Sequence, residues 1–113
     1  MLRPGGVLCL STLHPISTTG EFVDDAPDAD FVVHHSYAEP RRYVDHIERD
    51  GFAMEFHSIH RPLDAYTDAL HDAGFVVELL REPVPDADAI ARFPRLARQA
   101  RVPWYLHLRA RRR

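Results

Sequence analysis

Apolar and polar residues alternate with two different periods along this chain, and the order of those periods outlines its elements. Pro4-Gly5 suits the two central positions of a type II turn, proline fixing φ and glycine taking the positive value. Val7 to Leu10 is an unbroken apolar run, the pattern of a strand covered on both faces of a sheet. Residues 16 to 30 turn polar, with Glu21, Asp24, Asp25, Asp28 and Asp30 around Pro27. They read as a surface loop or, more sharply, as a lid over a ligand. Residues 31 to 61 read as short strands. Within them Asp50-Gly51 is a strong hairpin signal between Tyr43–Ile47 and Phe52–Phe56, and Phe52, Met54 and Phe56 place apolar groups on one face of the second arm.

The period then lengthens. Leu63, Tyr66, Leu70 and Ala73 recur at helical spacing, with Pro62 at the entry, Asp64 in the first turn and Gly74 as the cap. Phe75 to Leu80 reads as a strand that stops at Glu82-Pro83. Asp86 or Asp88 can cap a second helix through Ile90, which Pro94 breaks or restarts and which runs on to about Ala100. Trp104, Leu106, Leu108 and Ala110 alternate with Tyr105, His107, Arg109 and Arg111, as in a half-covered last strand. Strands separated by helices favour an α/β layered sheet. The expected organisation is one partial domain: turn and central strand over 1–15, loop and hairpin insertion over 16–61, and helix–strand–helix–strand over 62–113.

Composition narrows the function. The 113 residues, 45% hydrophobic, allow one small core. A net charge of −3 gives no reason to expect nucleic acid or an anionic membrane as partner. All 14 basic residues are arginine, so lysine and Schiff-base chemistry are excluded. Cys9 is the only cysteine; it reads as core filler, is consistent with a reducing cytoplasm, and rules out an internal disulfide. Pro4-Gly5-Gly6 and the shortness of the apolar run argue against a signal peptide, and no stretch approaches a membrane span.

Several segments together resemble one family. Leu2-Arg-Pro-Gly-Gly-Val-Leu-Cys-Leu-Ser-Thr-Leu-His-Pro15 is similar to the turn and fifth strand of class I S-adenosylmethionine-dependent methyltransferases of the small-molecule type. His60-Arg-Pro-Leu-Asp-Ala-Tyr66 and Leu70-His-Asp-Ala-Gly-Phe75 resemble that family's next helix and its alanine-glycine-phenylalanine ending. Glu82-Pro-Val-Pro85 and Arg101-Val-Pro-Trp-Tyr-Leu106 match its later segments. The resemblance implies the C-terminal part of a Rossmann-like methyltransferase sheet, with about three sheet strands, two helices and a β-hairpin insertion. It also implies that the last strand runs antiparallel between the fifth and sixth. S-adenosylmethionine is the implied cofactor, yet no G-x-G occurs and the paired glycines Gly5-Gly6 precede a strand rather than follow one. No residue can take the glycine-loop or ribose-acid role, so the chain reads as the substrate-side half, inactive alone.

Candidate chemistry follows. In open α/β sheets ligands sit beyond the carboxyl ends of the strands, which is where His14 falls. His14 is the candidate catalytic and substrate-facing group, against a structural histidine hydrogen-bonded at a strand end. His60 and Arg61, at the entry to the main helix, flank the substrate pocket by resemblance. Arg61 could grip a carboxylate or phosphate bidentately, against a surface ion pair with Asp64 or Glu55. Tyr37 and Tyr43 could line a substrate cover, against core packing. The eight histidines lack zinc-site spacing, so no metal is expected. The alternative function is a non-catalytic interaction or ligand-binding module, self-associating through an exposed strand edge or pairing with a partner chain.

Overall fold

The structure, a computed structural model, describes residues 2–113. Seven strands and three short α-helices follow one another as β1 (Val7–Leu13), β2 (Gly20–Phe22), β3 (Phe31–Val33), β4 (Arg41–Arg49), β5 (Phe52–His60), α1 (Leu63–Asp72), β6 (Phe75–Arg81), α2 (Ala87–Arg92), α3 (Ala97–Arg101) and β7 (Tyr105–Arg112). The principal sheet has the order β1-β7-β6, with β7 antiparallel to both neighbours. The last strand therefore lies where the resemblance puts it.

The alternation in β7 explains the core. Leu106, Leu108 and Ala110 are 0, 3 and 1% exposed, whereas Tyr105, His107, Arg109 and Arg111 face solvent. Cross-strand pairing puts Leu8, Leu10 and Thr12 on the same face as the buried three, opposite Ala110, Leu108 and Leu106. A bulge between Val77 and Leu79 lets Val77 and Leu80 meet that face from β6. Helix α1 packs against β6. The Pro4-Gly5 turn forms as the sequence predicts: Gly6 N–H donates to Arg3 O at 2.8 Å, with Gly5 at φ 84°.

The opposite face of the sheet is bare, and this corrects two expectations. Val7 is 40% exposed there, and Cys9 is exposed rather than core filler; on the core face Leu8, near the start of β1, is itself 38% exposed. The physical reason is that β1 has only β7 beside it and no element of the described residues lies over the face that carries Val7, Cys9 and Ser11. That face holds a largely apolar hollow of about 380 Å³ between Cys9, Leu79 and His107. Beside it Glu78 accepts hydrogen bonds from Arg109 Nε at 2.9 Å and Arg111 Nε at 3.0 Å. These bonds, Arg111's first, hold the Glu78 carboxyl below the usual glutamate range.

Between β1 and α1 the chain builds two further pairs. β4 and β5 form a nine-residue ribbon closed by Asp50-Gly51, both at positive φ (54° and 79°), as a two-residue hairpin loop of this sequence demands. The stretch read as a loop contains more order than its polarity suggests. Ser17–Thr19 forms a 3-10 turn and β2 pairs with β3, with Phe22 and Phe31 rings meeting edge to face at 5.1 Å. At Gly20 a Cβ would stand 1.7 Å from Val32 O, so only glycine fits this pairing. The second helix is likewise divided. Asp86 Oδ1 caps α2 by accepting from Ala89 N–H, and Pro94 opens a separate 3-10 turn before α3.

Candidate functional site at the carboxyl end of the first strand

The run Leu13-His14-Pro15 leaves β1 and anchors three other parts of the chain. His14 is 6% exposed. Its backbone N–H donates to Trp104 O at 2.8 Å, and its Nδ1 accepts from Ile16 N–H at 3.1 Å. An Nδ1 that accepts carries no proton, so the neutral ring is protonated at Nε2, which donates to Glu82 Oε2 at 2.6 Å. Both ring nitrogens are thus engaged by the protein.

His60 closes β5 and is 1% exposed. Its Nε2 donates to Tyr37 O at 2.9 Å, and its Nδ1 is hydrogen-bonded at 2.5 Å to the Thr18 hydroxyl, whose oxygen also stands 3.0 Å from Pro15 O. Tyr37 continues the network: its hydroxyl accepts from Leu63 N–H at 3.1 Å at the start of α1. The Arg41 guanidinium donates to Thr18 O at 2.9 Å and lies 5.4 Å from the Tyr43 ring centre. One turn, residues 14–19, therefore binds the base of the ribbon and the end of β6 to β1, and through His60 and Tyr37 reaches the start of α1.

Two cavities open around that turn and share Leu13, Thr18 and Tyr43. The first, about 350 Å³, lies between Thr12, Ser58, His60, Arg61 and Tyr66. The second, about 390 Å³, is lined by Glu21, His34, His35, Arg41 and Asp45. Arg61 is exposed at the first and forms no ion pair among the described residues, so neither Asp64 nor Glu55 neutralises it. Glu55 instead lies beside His46 and His57.

The structure brings His60, Arg61 and Tyr37 into one neighbourhood and places His14 across the 14–19 turn from them. Thr18, Glu82 and Tyr66 were not foreseen. Glu82 meets His14 across 68 residues and Thr18 meets His60 across 42, distances over which spacing carries no signal. Among the described residues no three His, Cys, Asp or Glu side chains gather as a metal site would require.

A β1-β7-β6 sheet with β7 reversed, an α1 crossover and a cavity at the strand ends define the class. The chain has the fold of part of an S-adenosylmethionine-dependent methyltransferase, consistent with the C-terminal half. Among solved structures it is similar to the S-adenosylmethionine-dependent methyltransferase from Mesorhizobium loti, with a TM-score of 0.75 and 25% identity over 98% of this chain. It also shares the fold of a Listeria monocytogenes protein assigned to the same class, with a TM-score of 0.72 and 20% identity over 99% of this chain. The chain spans 50% of the length of each of these structures. No family model and no curated protein sequence matches it.

Among the described residues no run of glycines follows a strand to form a cradle for that cofactor. A glycine-lined cradle would leave room at its Cα atoms for a ligand to approach. Here Gly5, Gly51 and Gly74 stand in open turns, and Gly6 and Gly20 face this chain's own backbone. No helix among them is long and apolar enough to cross a membrane.

Proposed function

We propose that this chain forms the acceptor-side wall of an S-adenosylmethionine-dependent methyltransferase acting on a small molecule. The observation that carries this reading is the pair of cavities at the carboxyl end of β1, beside a fold shared with such enzymes. Arg61 holds an anionic group of the acceptor, because it is the uncompensated cation on the first cavity among the described residues. His60 and Tyr37 fix that cavity's wall through their shared hydrogen bond. His14 positions the strand end; to act as a base it must first release Nδ1 from Ile16 N–H.

By itself the chain does not bind the cofactor in this reading. Isothermal titration of S-adenosylmethionine into the purified 113-residue chain tests this: no heat beyond dilution is expected, and micromolar binding overturns it. Arg61 is tested by NMR with benzoate as probe. Shifts around Ser58, Arg61 and Tyr66 that vanish in Arg61→Gln support the anion role; equal shifts in the variant refute it.

A second reading rests on the unpaired flank of β1. A bare strand edge recruits another strand. The chain would then be a non-catalytic module that self-associates through that edge or pairs with a separate polypeptide. A monomer resistant to concentration in size-exclusion chromatography counts against it.

A further inference from the structure

The β4–β5 ribbon carries an apolar face that nothing in the described residues covers. Its register places Asp45 opposite Phe56, Ile47 opposite Met54 and Arg49 opposite Phe52. Directly opposed residues share a face, so these six side chains project together. Phe52, Phe56, Ile47 and Met54 are 71, 48, 41 and 39% exposed. Two-stranded ribbons are marginal in water unless such a face is packed. Asp45 and Arg49 form no ion pair with any described residue.

We propose that this face is an interface with a second copy of the chain, closed by a two-fold axis through Ile47 and Met54. The argument is self-complementarity, which a closed symmetric dimer requires. Ile47 lies midway between Asp45 and Arg49, and Met54 midway between Phe52 and Phe56. Ile47 and Met54 are also opposite each other in the register. A two-fold axis lying between two stacked ribbons and perpendicular to the strands therefore satisfies every position at once. Ile47 meets Ile47 and Met54 meets Met54. Phe52 of each copy meets Phe56 of the other, in reach of edge-to-face contact. Asp45 of each copy meets Arg49 of the other, so both unpaired charges gain partners. The interaction closes after two copies, because one face is used on each. It is distinct from pairing through the β1 edge, which lies in the other sheet.

Sedimentation velocity over a range of concentrations tests this. A concentration-dependent dimer with no larger species is expected. Ile47→Glu should weaken it at least tenfold. Asp45→Arg and Arg49→Asp, each setting like charges opposite one another, should each weaken it several-fold. The double reversal Asp45→Arg with Arg49→Asp should restore it, which a merely misfolded variant would not do. A wild-type chain that stays monomeric, or a dimer indifferent to Ile47→Glu, overturns the proposal. So does a dimer that survives every ribbon variant and is lost in Cys9→Lys on the bare sheet face.

Discussion

The three-stranded sheet and the β4–β5 ribbon are both antiparallel, the ribbon in unbroken register and the sheet with one bulge in β6, yet they are held in different ways. In the sheet the middle strand buries Leu106, Leu108 and Ala110 almost completely. In the ribbon the large apolar groups remain in water, Phe52 most of all. Hydrogen bonds between strands replace bonds to water and contribute little net. Burial of apolar area is what distinguishes the two regions. The ribbon is fastened at its base instead, where His60 is enclosed and bonded to Thr18 and Tyr37. The outcome is an extended molecule: the radius of gyration is 16.4 Å, against about 13 Å for a compact domain of this length.

Substitutions sharpen that contrast. Leu106→Ala in the sheet should cost about 2–5 kcal/mol, because the side chain is fully enclosed. Against a total stability of roughly 5–15 kcal/mol, thermal unfolding should show a large fall in Tm. At the ribbon base, Thr18→Val leaves the buried Nδ1 of His60 without its hydrogen-bond partner, and about 1–3 kcal/mol is expected in denaturant unfolding. At the ribbon tip, Phe52→Ala should change the stability of the monomer by no more than about 0.5 kcal/mol, as surface substitutions do. A loss at the tip as large as at Leu106 would break the comparison.

The smallest effect concerns Glu78 on the bare sheet face. Its folded-state carboxyl is held low by Arg111 and Arg109. Its stabilisation is therefore present above the usual glutamate range and is lost as pH falls through the depressed folded value. Glu78→Gln should lower Tm slightly at neutral pH, and the gap from the wild type should close in acid. A gap that persists or widens in acid contradicts this account of the ion pairs.

Much of the architecture was legible because it is local. Asp50-Gly51 fixed the hairpin, the helical spacing from Leu63 fixed α1, and the alternation after Trp104 gave the buried side of β7. That same alternation is what a middle strand covered on one face shows, so the half-covered pattern and the central position agree. The β2–β3 pair was not legible, since three-residue strands are too short to display a period. The exposure of Cys9 was hidden for the opposite reason. Its apolar surroundings describe a cover that the described residues do not supply. At the site, His60 and Arg61 were singled out from helix entry and resemblance, and Tyr37 as a possible substrate cover. Their partners Thr18 and Glu82 depend on contacts between distant segments.

The free flank of β1 underlies the functional account, and amide hydrogen exchange reads it directly. His14 N–H bonds to Trp104 O, and pairing alternates along an antiparallel strand. The amides of Leu8, Leu10 and Thr12 therefore face β7, while those of Val7, Cys9, Ser11 and Leu13 face the open side. For the monomeric chain the account predicts slow exchange at the first set and fast exchange at the second. Uniform protection along β1 would contradict it, because both sides of that strand would then be paired by this chain itself.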